Sequence, residues 1–276
     1  MRQAVFWCLR FYIVPIEYEL FQKNVSDQEK LNLFKQFFLK NGNYSFGKEE
    51  VYAIRITHIE GDMHFGKLSK REYTENRSIT PVDVEDSVIE DWPYVNFVFD
   101  VSKGVQLLAI EKDMELFPSV SGLKRKMSLM AKKSMGYTGF VVNFEPVVEK
   151  FAFWNIIEQA ERIYALRLKL ESPNMFGASM KARESLKELQ GVFNNNKLGI
   201  VIENSEGNLD IPRERIESYV EYADQGGGSW VLDIARDGER RRFASFQNAV
   251  VAKVALIKSD PLGMMRNAMG YFKKFL

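Results

Sequence analysis

The chain opens with "FWCLRFYIVPI" (Phe6 to Ile16), an apolar, β-branched run that reads as a strand and ends near Pro15. Polar spacing takes over at Ser26. In "SDQEKLNLFKQFFL" Ser26 and Glu29 fit the S-x-x-E capping box, while Leu31, Phe34, Phe37 and Phe38 fall on one face of a helix. "VYAIRITHIEGDMHFGKL" returns to alternation on both sides of Gly61-Asp62, which predicts a hairpin. "YVNFVFDVSKGVQLLAIEK" predicts a second hairpin, turning at Ser102-Lys103-Gly104. Between the two, "TPVDVEDSVIEDW" (Thr80 to Trp92) reads as an acidic connector.

After Pro118 the period changes. Helical spacing over Leu123–Ser134 leads to a strand at Thr138–Phe144, a helix around Phe151, Trp154 and Ile157, and the alternating "YALRLKL". A helix over Ala182–Phe193, the strand "LGIVI", a helix opened by Pro212, the strand "SWVLDIA" and a C-terminal helix complete the pattern. The fold class implied is α+β. An N-terminal antiparallel-sheet domain with one helix (1–118) is expected to precede a mixed α/β domain, ferredoxin-like in one reading (119–276).

Composition agrees with well-built cores: 46% of the 276 residues are hydrophobic and 21 are Phe. The single cysteine, Cys8, excludes an internal disulfide and is expected to pack as a small hydrophobe. Arg10 interrupts the first apolar run and no small-residue cleavage site follows, so a soluble, cytoplasmic chain without membrane insertion is expected.

The net charge of +1 hides an uneven layout. Residues 1–118 carry 14 basic and 19 acidic side chains, residues 119–239 carry 16 and 17, and residues 240–276 carry 8 and 1. "GLKRKMSLMAKKSMGYTGFVVNF" holds five basic residues and no acid. A solvated helix face ordinarily mixes both signs, whereas cations without acidic neighbours are what phosphate neutralisation requires. A second basic stretch begins at Arg240, Arg241 and Arg242, whose guanidinium forks suit phosphate oxygens. The candidate nucleic-acid-binding residues are therefore Lys124, Arg125, Lys126, Lys132, Lys133, Arg240, Arg241 and Arg242, with Phe243 and Phe246 as stacking or core residues. Such binding would be independent of nucleotide sequence.

Catalytic signals are sparse. The two histidines, His58 and His64, flank the Gly61-Asp62 turn; pairing His58 with Phe65 and His64 with Ile59 would send their rings to opposite faces, which disfavours a shared metal. "DQGGGSW" follows a helix rather than opening one, so it reads as a helix cap and loop, not a phosphate cradle. A metal-dependent nuclease remains as an alternative, with Asp100 and Glu111 or Asp233 as its carboxylates. A third alternative is a protein-interaction module that binds no nucleic acid. The acidic connector reads as a solvated loop or as a mask for the basic surface of the same chain or another copy. No cofactor and no metal are expected.

The succession of hairpin, acidic spacer, hairpin and second domain, carried by "VYAIRITHIEGDMHFGKL" and "YVNFVFDVSKGVQLLAIEK", resembles the sensor half of the lambda-type Rex phage-exclusion pair and related phage-defence proteins. The resemblance implies a homodimer with a role in abortive infection, sensing nucleic acid and acting with a partner effector protein. It carries over no individual functional residue.

Overall fold

The capping box at Ser26 is present as read. In the computed structural model, which describes residues 3–16, 25–47, 49–79, 81–171, 180–193, 195 and 197–275, Glu29 N–H donates to Ser26 Oγ and Ser26 N–H donates to the Glu29 carboxylate. These bonds open helix α1 (Asp27–Phe37), which seats Leu31 and Phe34 in the first core. Replacing Ser26 by Ala leaves an N-terminal amide without its acceptor, and thermal unfolding should report a loss of about 1 kcal/mol.

The first sheet is antiparallel and contains eight strands: β1 (Gln3–Pro15), β2 (Gly42–Phe46), β3 (Glu50–Glu60), β4 (Met63–Lys70), β7 (Tyr94–Asp100), β8 (Leu107–Glu111), β9 (Phe140–Pro146) and β14 (Val251–Ala255). Its order is β14-β1-β8-β7-β4-β3-β2. Strand β14 pairs with Gln3–Trp7 and strand β9 with Leu9–Pro15, so two segments distant in sequence extend the sheet from β1. The expected division at residue 118 is therefore not where the sheets part, because the chain leaves the first sheet and returns to it twice. An aromatic cluster of Phe11, Phe34, Phe38, Phe99 and Phe144 fills one face under α1 and α2 (Val120–Met135). Helix α6 (Pro261–Phe272) covers the other face, where Cys8 is fully buried and its thiol is pushed up by burial.

The second sheet is also antiparallel, ordered β11-β10-β12-β13 from β10 (Arg162–Glu171), β11 (Lys197–Glu203), β12 (Gly228–Arg236) and β13 (Glu239–Ala244). Helices α3 (Ala152–Glu158), α4 (Met180–Phe193) and α5 (Arg213–Tyr222) supply its core together with Leu166, Leu168, Leu170, Trp230, Leu232 and Ile234. Strands β11 and β12 flank β10 and both run antiparallel to it, so β11-α5-β12 is a split β-α-β unit. Among the described residues the complete ferredoxin-like order is absent, since β10 leads through α4 to its own antiparallel neighbour and β13 is only the second arm of a hairpin.

The acidic connector corrects to a strand. Residues Val84–Asp91 form β6, paired with β5 (Glu72–Ile79) in a two-stranded ribbon that prolongs the β4–β7 hairpin away from the sheet. The β12–β13 hairpin, turning through Asp237 and Gly238 at φ of 55° and 74°, was also outside the sequence reading. The glycine run after α5 caps that helix as read, but leads straight into a strand in place of a loop: Ala223–Gly227 make a π-helical turn broken at left-handed Gly226 (φ 85°, ψ 16°), and Gly228 already lies in β12.

Candidate nucleic-acid interface

Helix α2 has three distinct faces, and residues about 100° apart decide what each does. Val120, Leu123, Met127, Met130 and Ala131 are buried in the first core. Ser121, Lys124, Arg125, Ser128, Leu129 and Lys132 follow one another at helical spacing along one wall of a cleft of about 610 Å³. Lys126 and Lys133 fall on the third side, where Lys126 pairs with Glu50 over Phe46 and Tyr52, and Lys133 Nζ donates to the Ser45 carbonyl. One helix thus divides the five-residue basic cluster into two surfaces.

The floor and far wall of the cleft come from other elements. Strand alternation on β9 buries Phe140, Val142 and Phe144 in the first core and leaves Val141, Asn143 and Glu145 on the cleft side. Opposite them stand Ser229 and Val231 of β12, Ala244 of β13, and Ser245 and Phe246 in the 3-10 turn that follows. Of the two candidate stacking residues, Phe243 packs against the second core, while Phe246 lines the cleft with 43% of its surface exposed. The interior is thus mainly apolar, with cations along one rim.

Glu145 lies at the base of that rim and is buried. Burial raises its carboxyl above the usual range, and the Lys124 ammonium, bonded to both carboxylate oxygens, opposes the rise. Glu171 is likewise raised by burial, opposed by Lys197 at 3.6 Å, and its Oε2 accepts from Asn143 Nδ2 at 3.5 Å. Between the sheets these groups continue into a polar seam. Arg10 donates to the Gln225 and Gly104 carbonyls, and burial lowers its guanidinium to about 10. Tyr12 is raised by burial and by the neighbouring Glu145 and Glu171.

Arg240, Arg241 and Arg242 do not act as a unit, because consecutive residues of a strand point to opposite faces. Arg242 lies on the cleft side, two residues from Ala244, and is held by Asp233, with Nε 2.6 Å from Oδ1. Asp233 also binds Arg167, and this pair of guanidinium partners lowers its carboxyl to about 2. Arg240 stacks on Tyr164, 4.2 Å from the ring centroid, and Arg241 turns to the other face beside Glu239. The structure therefore brings together Lys124, Arg125 and Lys132 on the cleft wall, leaves Arg242 outside the lining on the strand face of Ala244 and held by Asp233, and places Lys126, Lys133, Arg240 and Arg241 elsewhere.

The carboxylates of the nuclease alternative do not meet. In the β7–β8 hairpin Asp100 pairs with Leu107, whereas Glu111 bonds Asn96 at the opposite end, a span of about 13 Å at roughly 3.3 Å per residue. Asp100 is buried against Lys273 and Ser102, and Asp233 belongs to the other sheet. Among the described residues no three His, Cys, Asp or Glu side chains group as metal ligands. His58 and His64 adopt the register read from sequence, opposite Phe65 and Ile59, and no described helix is long and apolar enough to cross a membrane.

Comparison of the chain with models of known protein families and with curated proteins gives no match.

Proposed function

We propose that the cleft beside α2 holds the sugar–phosphate backbone of a nucleic acid without reading its sequence, and that this binding is the sensing step of a phage-defence response. The observation that carries the binding is the charge of the rim. Lys124, Arg125 and Lys132 face the cleft from one helix, and Glu145, the single carboxylate among the described residues that line it, is already paired. Arg125 and Lys132 are exposed and stand on the same helix face. Two such cations, about two helical turns apart, meet a backbone that offers a phosphate at every nucleotide. Phe246 supplies one apolar ring for a base. The defence role is supported by the resemblance of the hairpin order to phage-exclusion sensors.

The test is fluorescence anisotropy of labelled single- and double-stranded DNA and RNA over a salt series. Log affinity should fall linearly with log salt. Replacing Arg125 and Lys132 together by Ala should flatten that slope by roughly 1.5 to 2 units and weaken binding about tenfold at moderate salt. These two are preferred to Lys124, whose removal also exposes the Glu145 pairing to loss. Binding indifferent to salt, or unchanged in the double variant, would remove the cleft as the site.

A further inference from the structure

The β5–β6 ribbon is built as if for a partner. From Tyr73 to Asp91 every described side chain is exposed, and an isolated two-stranded ribbon is marginal in water unless something covers a face. Its end is apolar: Ile79 and Val82 are 88% and 94% exposed, with Pro81 between them and Tyr73 and Val88 exposed further down. Its flanks are acidic, with seven carboxylate residues against two arginines between positions 71 and 92. Two such ribbons would repel one another, so a like-with-like pairing is disfavoured. The complementary shape and sign occur on the same chain. The cleft beside α2 has an apolar interior of Leu129, Val141, Val231 and Phe246 and a cationic rim of Arg125 and Lys132.

We infer that the apolar tip of this ribbon docks in the basic cleft of a second copy of the chain, with the ribbon carboxylates against the rim cations. The proposal rests on the cleft read above as the phosphate site and adds its regulation: the ribbon occupies the surface that phosphate would take. Reciprocal exchange of two ribbons uses both complementary surfaces twice and closes a two-fold dimer. The charges set the encounter and the salt dependence, while the Ile79 and Val82 side chains, buried only on docking, supply attraction that salt does not screen. Nucleic acid and the ribbon then compete for one cleft, so that a polyanion above a threshold concentration opens the dimer.

Sedimentation velocity on the full chain tests this, with the wild type, a ribbon variant (Glu75→Lys, Asp86→Lys, Glu90→Lys), a tip variant (Ile79→Ser, Val82→Ser), a cleft variant (Arg125→Glu, Lys132→Glu), and the ribbon and cleft variants combined. The wild type should dimerise at low salt and weaken as salt rises. The ribbon, tip and cleft variants should each raise the dimer dissociation constant at least tenfold, and the combined chain, with both signs reversed, should regain dimerisation. All these substitutions are at exposed positions or on the cleft rim, and circular dichroism confirms that each variant is folded. A wild type that stays monomeric at low salt, a ribbon variant that still dimerises, or a combined chain that fails to recover would overturn the inference. The anisotropy assay separates it from the phosphate reading. If both hold, the tip variant, whose charge is that of the wild type, binds labelled single-stranded DNA more tightly than the wild type at equal salt. If no chain binds nucleic acid while the dimer responds as stated, the docking stands and the phosphate reading falls.

Discussion

Replacing Lys124 by Ala should destabilise the protein by about 2 to 3 kcal/mol at pH 8 and by much less at pH 4. Lys124 is one-third exposed, but its partner Glu145 is buried at the base of the cleft. Removing one member of a buried pair costs about 3 to 5 kcal/mol, chiefly because the remaining charge is left in a poor solvent, and the exposure of the lysine end brings the expected loss to the bottom of that scale or just below it. Burial already raises the Glu145 carboxyl with Lys124 in place, and loss of the ammonium raises it further. A carboxyl raised on folding gives stability that is fully present below its unfolded value and is lost as pH rises through its folded value. At pH 4 Glu145 is therefore largely neutral in either chain and has little need of Lys124. At pH 8 the variant must either bury an unpaired carboxylate or hold a proton against the solvent. Chemical denaturation of both chains at the two pH values measures the effect. An equal loss at pH 4 and pH 8 would assign Lys124 a packing role through its methylenes instead.

This coupling explains why the candidate site was only partly legible in the sequence. The basic stretch on α2 was visible, because helical spacing is local and five cations without an acid stand out in a short window. Its division into a cleft face and an outer face follows from the same periodicity, yet which face meets a cleft depends on β9 reaching back to pair with β1. Glu145 looked like one acid among many in "NFEPVVEK"; only the antiparallel register opposite Arg10 and the approach of Lys124 make it a buried partner. The Arg240–Arg242 run misled for a related reason. Read as a chain it is a cluster, but once β13 forms, its period of two places neighbours on opposite faces and Asp233 takes up Arg242.

The fold shows the same boundary between local and non-local information. The capping box of α1, the register of the β3–β4 hairpin and the helices after residue 118 all depend on residues within a turn or a hairpin of one another. What the sequence could not reveal was that β9 and β14 leave the second unit to extend the first sheet, since pairing across more than a hundred residues has no local signature. The acidic stretch Thr80–Trp92 was ambiguous for another reason. Its charges mask a β-branched alternation of Val82, Val84 and Val88 that becomes a strand only because β5 precedes it.

The π-helical turn after α5 yields the second large effect: Asp224→Asn should stabilise the protein by about 2 kcal/mol at pH 8, a rise in melting temperature of roughly 5 °C, with little change at pH 4. Asp224 is mostly buried where the turn meets Val148 and Trp230, and burial is the main reason its carboxyl is raised to about 7. The Trp230 indole Nε1, 2.7 Å from Oδ1, opposes that rise, and Glu221 adds to it. The sign follows from the raised value. Stability from the protonated group is fully present below the ordinary 3.8 and is lost as pH climbs through about 7. A displacement of that size corresponds to about 4 kcal/mol at most, and residual solvent exposure and relaxation of the turn reduce it to about half. Asparagine keeps an amide oxygen for the Trp230 indole while removing the charge that burial opposes. The stability difference between wild type and variant should therefore widen through neutral pH, and Glu145 and Glu171, common to both chains, cancel from it. A constant difference from pH 4 to pH 8 would mean that Asp224 does not titrate in this range, and would place the effect of the substitution in the Trp230 hydrogen bond alone.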